Sequence, residues 1–441
     1  MRDFKLYTVF YLVVALAGCG NEPVPAPTPD PLPVDSVHTD DTLADPNVKY
    51  PAYTGLVMAG YQGWFAARGD ASNRGWYHYE KGGCGFQPGC STIDMWPDMS
   101  EYTVKYETPF AYADGSSAYL YSPYDEASVD LHFKWMQEYG LDGVHMQRFV
   151  GEIKPTNARG KRHFNKVLDN ALKAARTYER AISVMYDLSG SSSADVAYLE
   201  EDWNELVSTF NLLDSKVHPT YLRHNGKPLV TIWGVGFNDN RAYSIADVSA
   251  LVDKLLATRQ VSIMLGVPYY WRTFGADTEN NPALHDLIRK VDLIMPWAVG
   301  RYDSHGYNPN NVAADQKWCE QHGVDYVPLV FPGFSWANMH NDPSLYNAIP
   351  RLEGDFLWKQ IAGAKTEGAK SLYVAMFDEI DEGTAIYKVS NESNTPLNGD
   401  GGLKFVGVED GLPTDHYLWL VGQGARWFHG ESGYGIRRPS R

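Results

Sequence analysis

Short apolar runs recur along the chain, and each is followed by a loop and then by a segment in which apolar positions repeat every three to four residues. The runs are typical of buried β-strands, and the longer segments are typical of amphipathic helices. The predicted strands are Gly55–Gly63, Gly143–Phe149, Ala181–Asp187, Pro228–Gly234, Ser262–Tyr269, Asp292–Ala298, Asp325–Phe331 and Ser371–Asp378. The predicted helices are Asp125–Tyr139, Lys161–Glu179, Ala194–Leu213, Ile245–Thr258, Pro282–Arg289, Asn311–His322, Phe356–Thr366 and Thr414–Gly424.

This alternation predicts a parallel sheet whose outer face is covered by helices. Eight strand–helix units predict an α/β fold of the (β/α)8 TIM-barrel type. A doubly wound open sheet is the alternative, but no glycine-rich dinucleotide fingerprint follows the first predicted strand. A long excursion in the first βα loop runs from Phe65 to Tyr124. Extra length at the carboxyl end of a barrel is typical of an active site, so we expect the excursion to shape one.

The first residues are typical of a secretory signal. Arg2 and Lys5 precede an apolar run from Tyr7 to Ala17 that is too short to span a bilayer. The run ends in Leu16-Ala17-Gly18-Cys19, which is similar to a bacterial lipobox. We therefore expect lipidation at Cys19, with an ordinary signal peptide and a chance cysteine as the alternative.

Alternating prolines follow Cys19, and they favour an extended polyproline II spacer. The resulting expectation is a protein of the bacterial cell envelope that is lipid-anchored at the outer membrane, facing the periplasm or the surface. Its membrane contact would be through the anchor only. The predicted domain order is signal peptide and lipobox over 1–19, proline-rich tether over 20–49, catalytic barrel over 50–430 and flexible tail over 431–441.

The remaining cysteines are Cys84, Cys90 and Cys319. Cys84 and Cys90 bracket a loop that contains glycine and proline, which predicts a disulfide in an oxidising compartment. A metal-binding pair is the weaker alternative, because no histidine or further cysteine lies close by in the sequence. Cys319 falls on a helical pattern and is expected to be a buried thiol.

Composition narrows the class of function. With 38 Lys and Arg against 54 Asp and Glu, the net charge of −16 argues against nucleic-acid binding, which needs clustered cations. The 13 tryptophans and 29 tyrosines suit either an aromatic core or stacking against sugar rings. An oligosaccharide or polysaccharide partner is therefore favoured over a nucleic acid.

Chemistry in a barrel is expected at the carboxyl ends of the strands. Arg148 follows the second strand, where it can bind sugar hydroxyls or pair with Asp187 at the end of the third. The aromatic residues at strand ends can form either sugar platforms or barrel-top packing. The predicted substrate-binding residues are Tyr61, Trp64, Arg148, Asp187, Trp233, Tyr269, Trp271, Trp297 and Trp336.

The sharpest feature is an acidic run, with Asp378, Glu379, Asp381 and Glu382 at the end of the eighth predicted strand. Crowded carboxylates repel one another, so at least one pKa is expected to rise and give a protonated acid beside an ionised base. Glycoside cleavage needs that division of roles. A solvated acidic turn and a calcium site are the alternatives, and we expect no metal and no cofactor.

The segment Phe377–Thr384 resembles the Asn-Glu-Trp-His-Glu-Gly-Thr segment of glycoside hydrolase family 99, the endo-acting α-mannosidases and α-mannanases. Gly60–Trp64 is similar to the Tyr-Gly-Trp pattern on that family's first strand. The resemblance implies that Glu379 deprotonates the sugar 2-hydroxyl and that Glu382 serves as acid and then as base. In that family the 2-oxygen attacks the anomeric carbon, and configuration is retained through an anhydro-sugar.

The sequence departs from the family segment at Asp378 in place of Asn, Ile380 in place of Trp and Asp381 in place of His. The α-1,3-glucanases of family 71 also place two carboxylates three residues apart, so an α-glucan substrate remains an alternative. The expected function is an exported, endo-acting glycoside hydrolase that cleaves an α-linked, α-mannan-like glycan. An inactive glycan-binding lipoprotein and a metal-dependent hydrolase are the competing interpretations. Against the metal-dependent hydrolase, the sequence has no His-x-His at the first strand and no HExxH pattern.

Overall fold

Eight parallel strands form a ring in the computed structural model, which describes residues 45–258, 260–399 and 401–441. The strands are β1 (Val57–Tyr61), β2 (Gly143–Phe149), β3 (Ala181–Asp187), β4 (Lys227–Trp233), β5 (Ser262–Pro268), β6 (Leu293–Trp297), β7 in two pieces (Asp325–Tyr326 and Leu329–Val330) and β8 (Leu372–Val374). β1 pairs with both β2 and β8. The first piece of β7 pairs with β6 and the second with β8, so the ring closes across Val327 and Pro328. Proline lacks the N–H that a continuous strand would donate, which accounts for the break.

Each strand is followed by a helix, as the sequence pattern predicts. The helices are α1 (Glu126–Tyr139), α2 (Ala158–Thr177), α3 (Ser193–Phe210), α4 (Ile245–Ala257), α5 (Ala283–Ile288), α6 (Pro309–His322), α7 (Asp355–Thr366) and α8 (His416–Phe428). Ser192 and Ser244 begin α3 and α4 with reciprocal capping boxes. Short helices lie at Val150–Ile153 and Ala337–His340, and 3-10 turns at Pro343–Leu345, Leu352–Gly354 and Glu392–Asn394. The predicted (β/α)8 fold is confirmed.

Three further strands lie outside the ring and make two antiparallel pairings. In the excursion after β1, Tyr106–Ala111 and Ser117–Leu120 form an antiparallel hairpin. Arg223–His224 pairs antiparallel with the start of β4. The excursion is fastened to the loop after β8, because the backbone N–H groups of Asp94 and Met95 both donate to the carbonyl of Ile380, at 2.8 and 2.9 Å. Cys84 and Cys90, which belong to the excursion, are paired, with Cα atoms 6.2 Å apart. Cys319 is a buried thiol.

The described residues belong to one compact unit, and both of its ends differ from the expected boundaries. The N–H of Lys49 donates to Pro219 O at 2.8 Å, so the last residues of the predicted tether pack against the barrel. In the predicted flexible tail, Gly435 O accepts a 3.0 Å hydrogen bond from the Trp358 indole, and Arg438 pairs with Asp355 at 2.5 Å. A backbone hydrogen bond at the N-terminal end, and a hydrogen bond and an ion pair at the C-terminal end, thus fasten both ends to the barrel.

The signal peptide, Cys19 and most of the tether lie outside the described residues. Within residues 45–258, 260–399 and 401–441, no helix is both long and apolar enough to cross a membrane.

Candidate active site

The acidic run lies just beyond β8, at the carboxyl end of the barrel. β8 ends at Val374, four residues earlier than predicted, and the chain then turns over the end of β1, where the Phe377 N–H donates to Gly60 O at 2.7 Å. Gly383 adopts a left-handed φ of 66°, and a Cβ there would lie 2.9 Å from Ser335 N. Glycine therefore permits the tight turn that follows Glu382. The turn holds the four carboxyl groups above the barrel.

Glu379 is the carboxyl group that receives hydrogen bonds from side chains. Gln62 Nε2 donates to Oε1 at 2.5 Å, and Thr384 Oγ1 donates to Oε2 at 2.8 Å. Burial, together with the charges of Glu382 and Asp381, raises the pKa of Glu379 well above its ordinary value, and the two donors oppose that rise. Glu379 is thus fixed in orientation by one donor from the loop after β1 and one donor from its own loop after β8.

Glu382 is the most open of the four carboxyl groups, being partly exposed where the other three are buried. Burial, followed by the charges of Asp381 and Asp187, raises its pKa to about 8. A group with that pKa carries a proton through the neutral range. Glu382 therefore has the protonation state that a general acid requires.

Asp378 has a positioning role at the junction of β1 and β8. Its side chain is fully buried, and its two oxygens accept from the backbone N–H groups of Gln62 at 2.7 Å and Gly63 at 3.0 Å. Burial raises its pKa to about 7, against the effect of these donors. The carboxyl group holds the loop that carries Gln62 next to Glu379.

Asp187, predicted as a substrate-binding residue, reaches the same site from the end of β3. It is 9% exposed and accepts from the Ser189 N–H at 2.7 Å. Burial raises the pKa of Asp187 to about 6, and the nearby Arg241 opposes the rise. Its charge acts on Glu382, which places it at the open side of the acidic run.

Several of the predicted aromatic residues line the strand ends. Trp233 and Trp297 contact each other edge to face at 5.1 Å, and the guanidinium of Arg241 lies 5.2 Å from the Trp233 ring. The Tyr269 hydroxyl accepts from Asn311 at 3.0 Å, and Trp336 packs against His340. Trp64 lies flat on His78 beside the acidic run, with ring centroids 3.9 Å apart. Tyr269, Trp297 and Trp336 are partly exposed, and Trp64 and Trp233 are each 9% exposed.

Three predicted substrate-binding residues are not available to a substrate. Arg148 is 2% exposed and pairs with Asp202 on α3 through two hydrogen bonds of 2.6 and 2.7 Å, not with Asp187. Tyr61 is fully buried, and its hydroxyl bonds to His132 Nδ1 at 2.8 Å. Trp271 is fully buried against Trp318. A side chain at a strand end faces either the cleft or the core. These three side chains face the core, where their partners lie on the surrounding helices.

Three residues of the site are not among those that the sequence predicts. Gln62 is the second-last residue of the first predicted strand and Thr384 lies two residues after the acidic run, but their residue types alone do not mark them as site residues. His78 lies in the excursion, and its Nδ1 comes within 3.6 Å of Asp381 Oδ2. Nothing in its sequence neighbourhood signals this contact, because the excursion has no periodic pattern that would fix its path.

The calcium interpretation of Asp378, Asp381 and Glu382 finds no geometric support. Among the described residues, no group of three or more His, Cys, Asp or Glu side chains is arranged to hold a metal ion. Asp378 instead uses both oxygens to accept from backbone N–H groups.

Among the solved structures that resemble this fold over most of the chain, two are of the GH99 endo-alpha-mannosidase from Bacteroides thetaiotaomicron. The complex with bis-tris-propane aligns with a TM-score of 0.59 at 16% identity and covers 85% of this chain and 98% of that chain. The second structure gives a TM-score of 0.60 at 15% identity, with the same coverage of 85% and 98%. No family model and no curated protein matches the sequence. At this identity the likeness establishes the fold.

Proposed function

We propose that the protein is a glycoside hydrolase that cleaves an α-linked glycan, with Glu379 and Glu382 as its catalytic carboxyl pair. The observation that carries the proposal is the unequal environment of the pair. Glu379 accepts hydrogen bonds from Gln62 and Thr384, whereas the Glu382 carboxyl group accepts none from the described residues. Burial raises the pKa values of both groups, but donors favour the ionised form of a carboxyl group, so we assign Glu379 as the base and Glu382 as the acid.

Each residue then has a defined step. Glu379, oriented by its two donors, takes the proton from the sugar 2-hydroxyl as the 2-oxygen attacks the anomeric carbon. Glu382 gives its proton to the departing glycosidic oxygen and later takes one from water. The water attacks the anomeric carbon, the bond from that carbon to the 2-oxygen breaks, and Glu379 returns its proton to the 2-oxygen, which gives a product of retained configuration. This sequence of steps follows the resemblance of Phe377–Thr384 to family 99, and the barrel's likeness to the endo-alpha-mannosidase supports it.

The ligand class follows from unpaired polar atoms at the strand ends. The indole N–H groups of Trp64, Trp233 and Trp336 are buried without a partner among the described residues, and Gln62 Oε1 is an acceptor in the same state. A buried polar atom without a partner is costly. A polyhydroxylated ligand offers both donors and acceptors, so an oligosaccharide satisfies these atoms better than an apolar or anionic molecule.

The substrate proposed is an α-mannan-like polysaccharide cut internally. An α-glucan is the second candidate, because Ile380 and Asp381 replace the Trp and His of the family segment. The test is a panel of α-mannans, α-1,3-glucans and further α-linked glycans, incubated with wild type, Glu379→Gln and Glu382→Gln. Cleavage by wild type that both variants lose supports the proposal. Binding of a glycan without cleavage would favour the inactive glycan-binding lipoprotein.

We further propose that Cys19 is the lipidated residue of an exported protein. The support is the lipobox-like Leu16-Ala17-Gly18-Cys19 and the proline-rich segment after it. Metabolic labelling with a radioactive fatty acid should mark wild type but not Cys19→Ser. Equal labelling of the two proteins would contradict the proposal.

A further inference from the structure

We propose that Asp381 is a positioning residue that keeps the proton of the catalytic acid on Glu382, and that His78 and Trp64 close the carboxyl group of Asp381 off from water. The inference rests on the proposed function, because it concerns the environment of the same acid. It adds a third carboxyl group to the two that the sequence motif supplies, at a position where the family segment has histidine.

The carboxyl group of Asp381 is buried without a donor. Its side chain is 1% exposed, and neither oxygen accepts a hydrogen bond from another residue in the described part of the chain. An ionised carboxylate in that state is costly, because neither water nor a protein donor replaces its lost hydration. The pKa of Asp381 is therefore raised. Glu382 follows it directly in the sequence, and a charge on Asp381 acts on Glu382.

His78 is the neighbour that would neutralise Asp381 if it were protonated, yet the structure keeps it neutral. Its Nδ1 lies 3.6 Å from Asp381 Oδ2, which is too far for a hydrogen bond. Burial and the charge of Arg74 lower the pKa of His78 to about 3. Arg74 itself is paired with Glu152 at 2.6 Å. Asp381 therefore has no counter-ion on this side.

A stack of aromatic rings lies on one side of the Asp381 carboxyl group. Trp64 and His78 lie parallel within 6°, and Phe149 packs against the same indole at 4.8 Å. Trp64 comes from the end of β1, His78 from the excursion and Phe149 from the end of β2. Three elements thus combine to keep water from this side of Asp381.

The remaining groups around the pair add negative charge. Burial raises the pKa values of Asp378 and Glu379, which share the turn, and the charge of Asp381 raises both further. The charge of Asp187, at the end of β3, acts on Glu382, and the charge of Arg241 acts on Asp187. Because the pKa of Asp381, about 7, lies below that of Glu382, about 8, Asp381 ionises first. Its charge then retains the proton on Glu382, which is the carboxyl group of the turn that is open to a substrate.

The first test is the pH dependence of kcat/KM on the best glycan of the panel. Asp381→Asn and Asp381→Leu should each move the alkaline limb about one pH unit lower, because removing the neighbouring charge lets Glu382 ionise earlier. The loss of rate relative to wild type should grow as the pH rises. Glu138→Gln, a control on the exposed face of α1, should leave the limb in place. A uniform loss of rate with an unmoved limb would overturn the inference.

The second test needs no activity. Both carboxyl groups have pKa values raised by folding, from 3.8 to about 7 for Asp381 and from 4.5 to about 8 for Glu382. Their contribution to stability is therefore present below about pH 4 and is lost as pH rises through about 7 to 8. Urea unfolding should show that Asp381→Asn and Glu382→Gln each gain stability over wild type between pH 5 and pH 8.

The double variant Asp381→Asn with Glu382→Gln tests whether the two carboxyl groups titrate as a coupled pair or independently. Its gain should be smaller than the sum of the two single gains, because the repulsion between the groups is removed only once. Additive gains would overturn the inference. If wild type cleaves no glycan, the proposed function fails, but the double-mutant cycle in unfolding free energy still measures the coupling between Asp381 and Glu382. If wild type is active and the gains are additive, only the inference fails.

Discussion

The side-chain amide of Gln62 donates a hydrogen bond of 2.5 Å to Oε1 of Glu379, across 317 residues of sequence. The bond joins the loop after β1 to the loop after β8. Asp378 strengthens the same junction by accepting from the backbone N–H groups of Gln62 and Gly63. The orientation of the proposed base therefore depends on the closure of the barrel between its first and last strands.

Gln62→Met should lower kcat by about 10- to 100-fold, with a smaller rise in KM from the loss of its Oε1 acceptor. The thioether keeps the shape of the side chain but cannot donate to Glu379, and a misplaced catalytic group costs about this much. Steady-state kinetics measure the effect, and Gln137→Met on the exposed face of α1 is the matched control. A rise in KM at unchanged kcat would show that Gln62 binds substrate and does not orient the base.

Arg148→Met should destabilise the fold by about 3–5 kcal/mol, because it leaves the buried Asp202 charge without its partner. The KM of the folded protein should remain near the wild-type value, since Arg148 does not face the cleft. Urea unfolding and kinetics on the same sample distinguish the two effects. A large rise in KM with unchanged stability would restore the prediction that Arg148 binds sugar.

Trp271 and Trp297 are both predicted from the sequence to bind substrate, but replacing each with alanine should have different effects. Trp297→Ala should raise KM, because the partly exposed ring meets Trp233 at the strand ends. Trp271→Ala should instead lower the free energy of unfolding by about 3–5 kcal/mol, because the ring is fully buried. Kinetics and urea unfolding of both variants provide the comparison. Similar effects on KM would contradict the assignment.

Sequence periodicity is enough to predict the barrel, since buried strands and amphipathic helices follow from the spacing of apolar residues. The Glu379–Glu382 pair is predictable for a similar reason, because four carboxyl groups in five residues stand out from the rest of the chain. The direction of a strand-end side chain is not predictable. Arg148 turns toward Asp202 on α3, a partner 54 residues away whose distance in space depends on how α3 packs.

His78 is beyond prediction for a different reason. It lies in a segment without regular periodicity, and its path is set by contacts such as the Asp94 and Met95 bonds to Ile380. Those contacts form only once the barrel brings the loop after β8 into place. The pairing of Cys84 and Cys90, by contrast, depends on a short local loop.

Removing the disulfide should cost about 2 kcal/mol, because the closed loop spans a sequence separation of only six residues. Cys84→Ser, Cys90→Ser and the double variant should unfold at the same lowered temperature. Peptide mapping under non-reducing conditions should recover Cys84 joined to Cys90, with buried Cys319 as the free thiol. Two free thiols at 84 and 90 would contradict the pairing.

The measurement that tests the central claim most directly is the leaving-group dependence of Glu382→Gln. If Glu382 is the general acid, this variant should lose about 10²- to 10⁴-fold in turnover on a glycan with a poor leaving group. It should lose far less on an aryl glycoside whose leaving group needs no proton. Glu379→Gln should be impaired on both substrates, because the 2-hydroxyl must still be deprotonated. An equal loss by Glu382→Gln on both substrates, or normal wild-type cleavage of a 2-deoxy glycoside, would contradict the account.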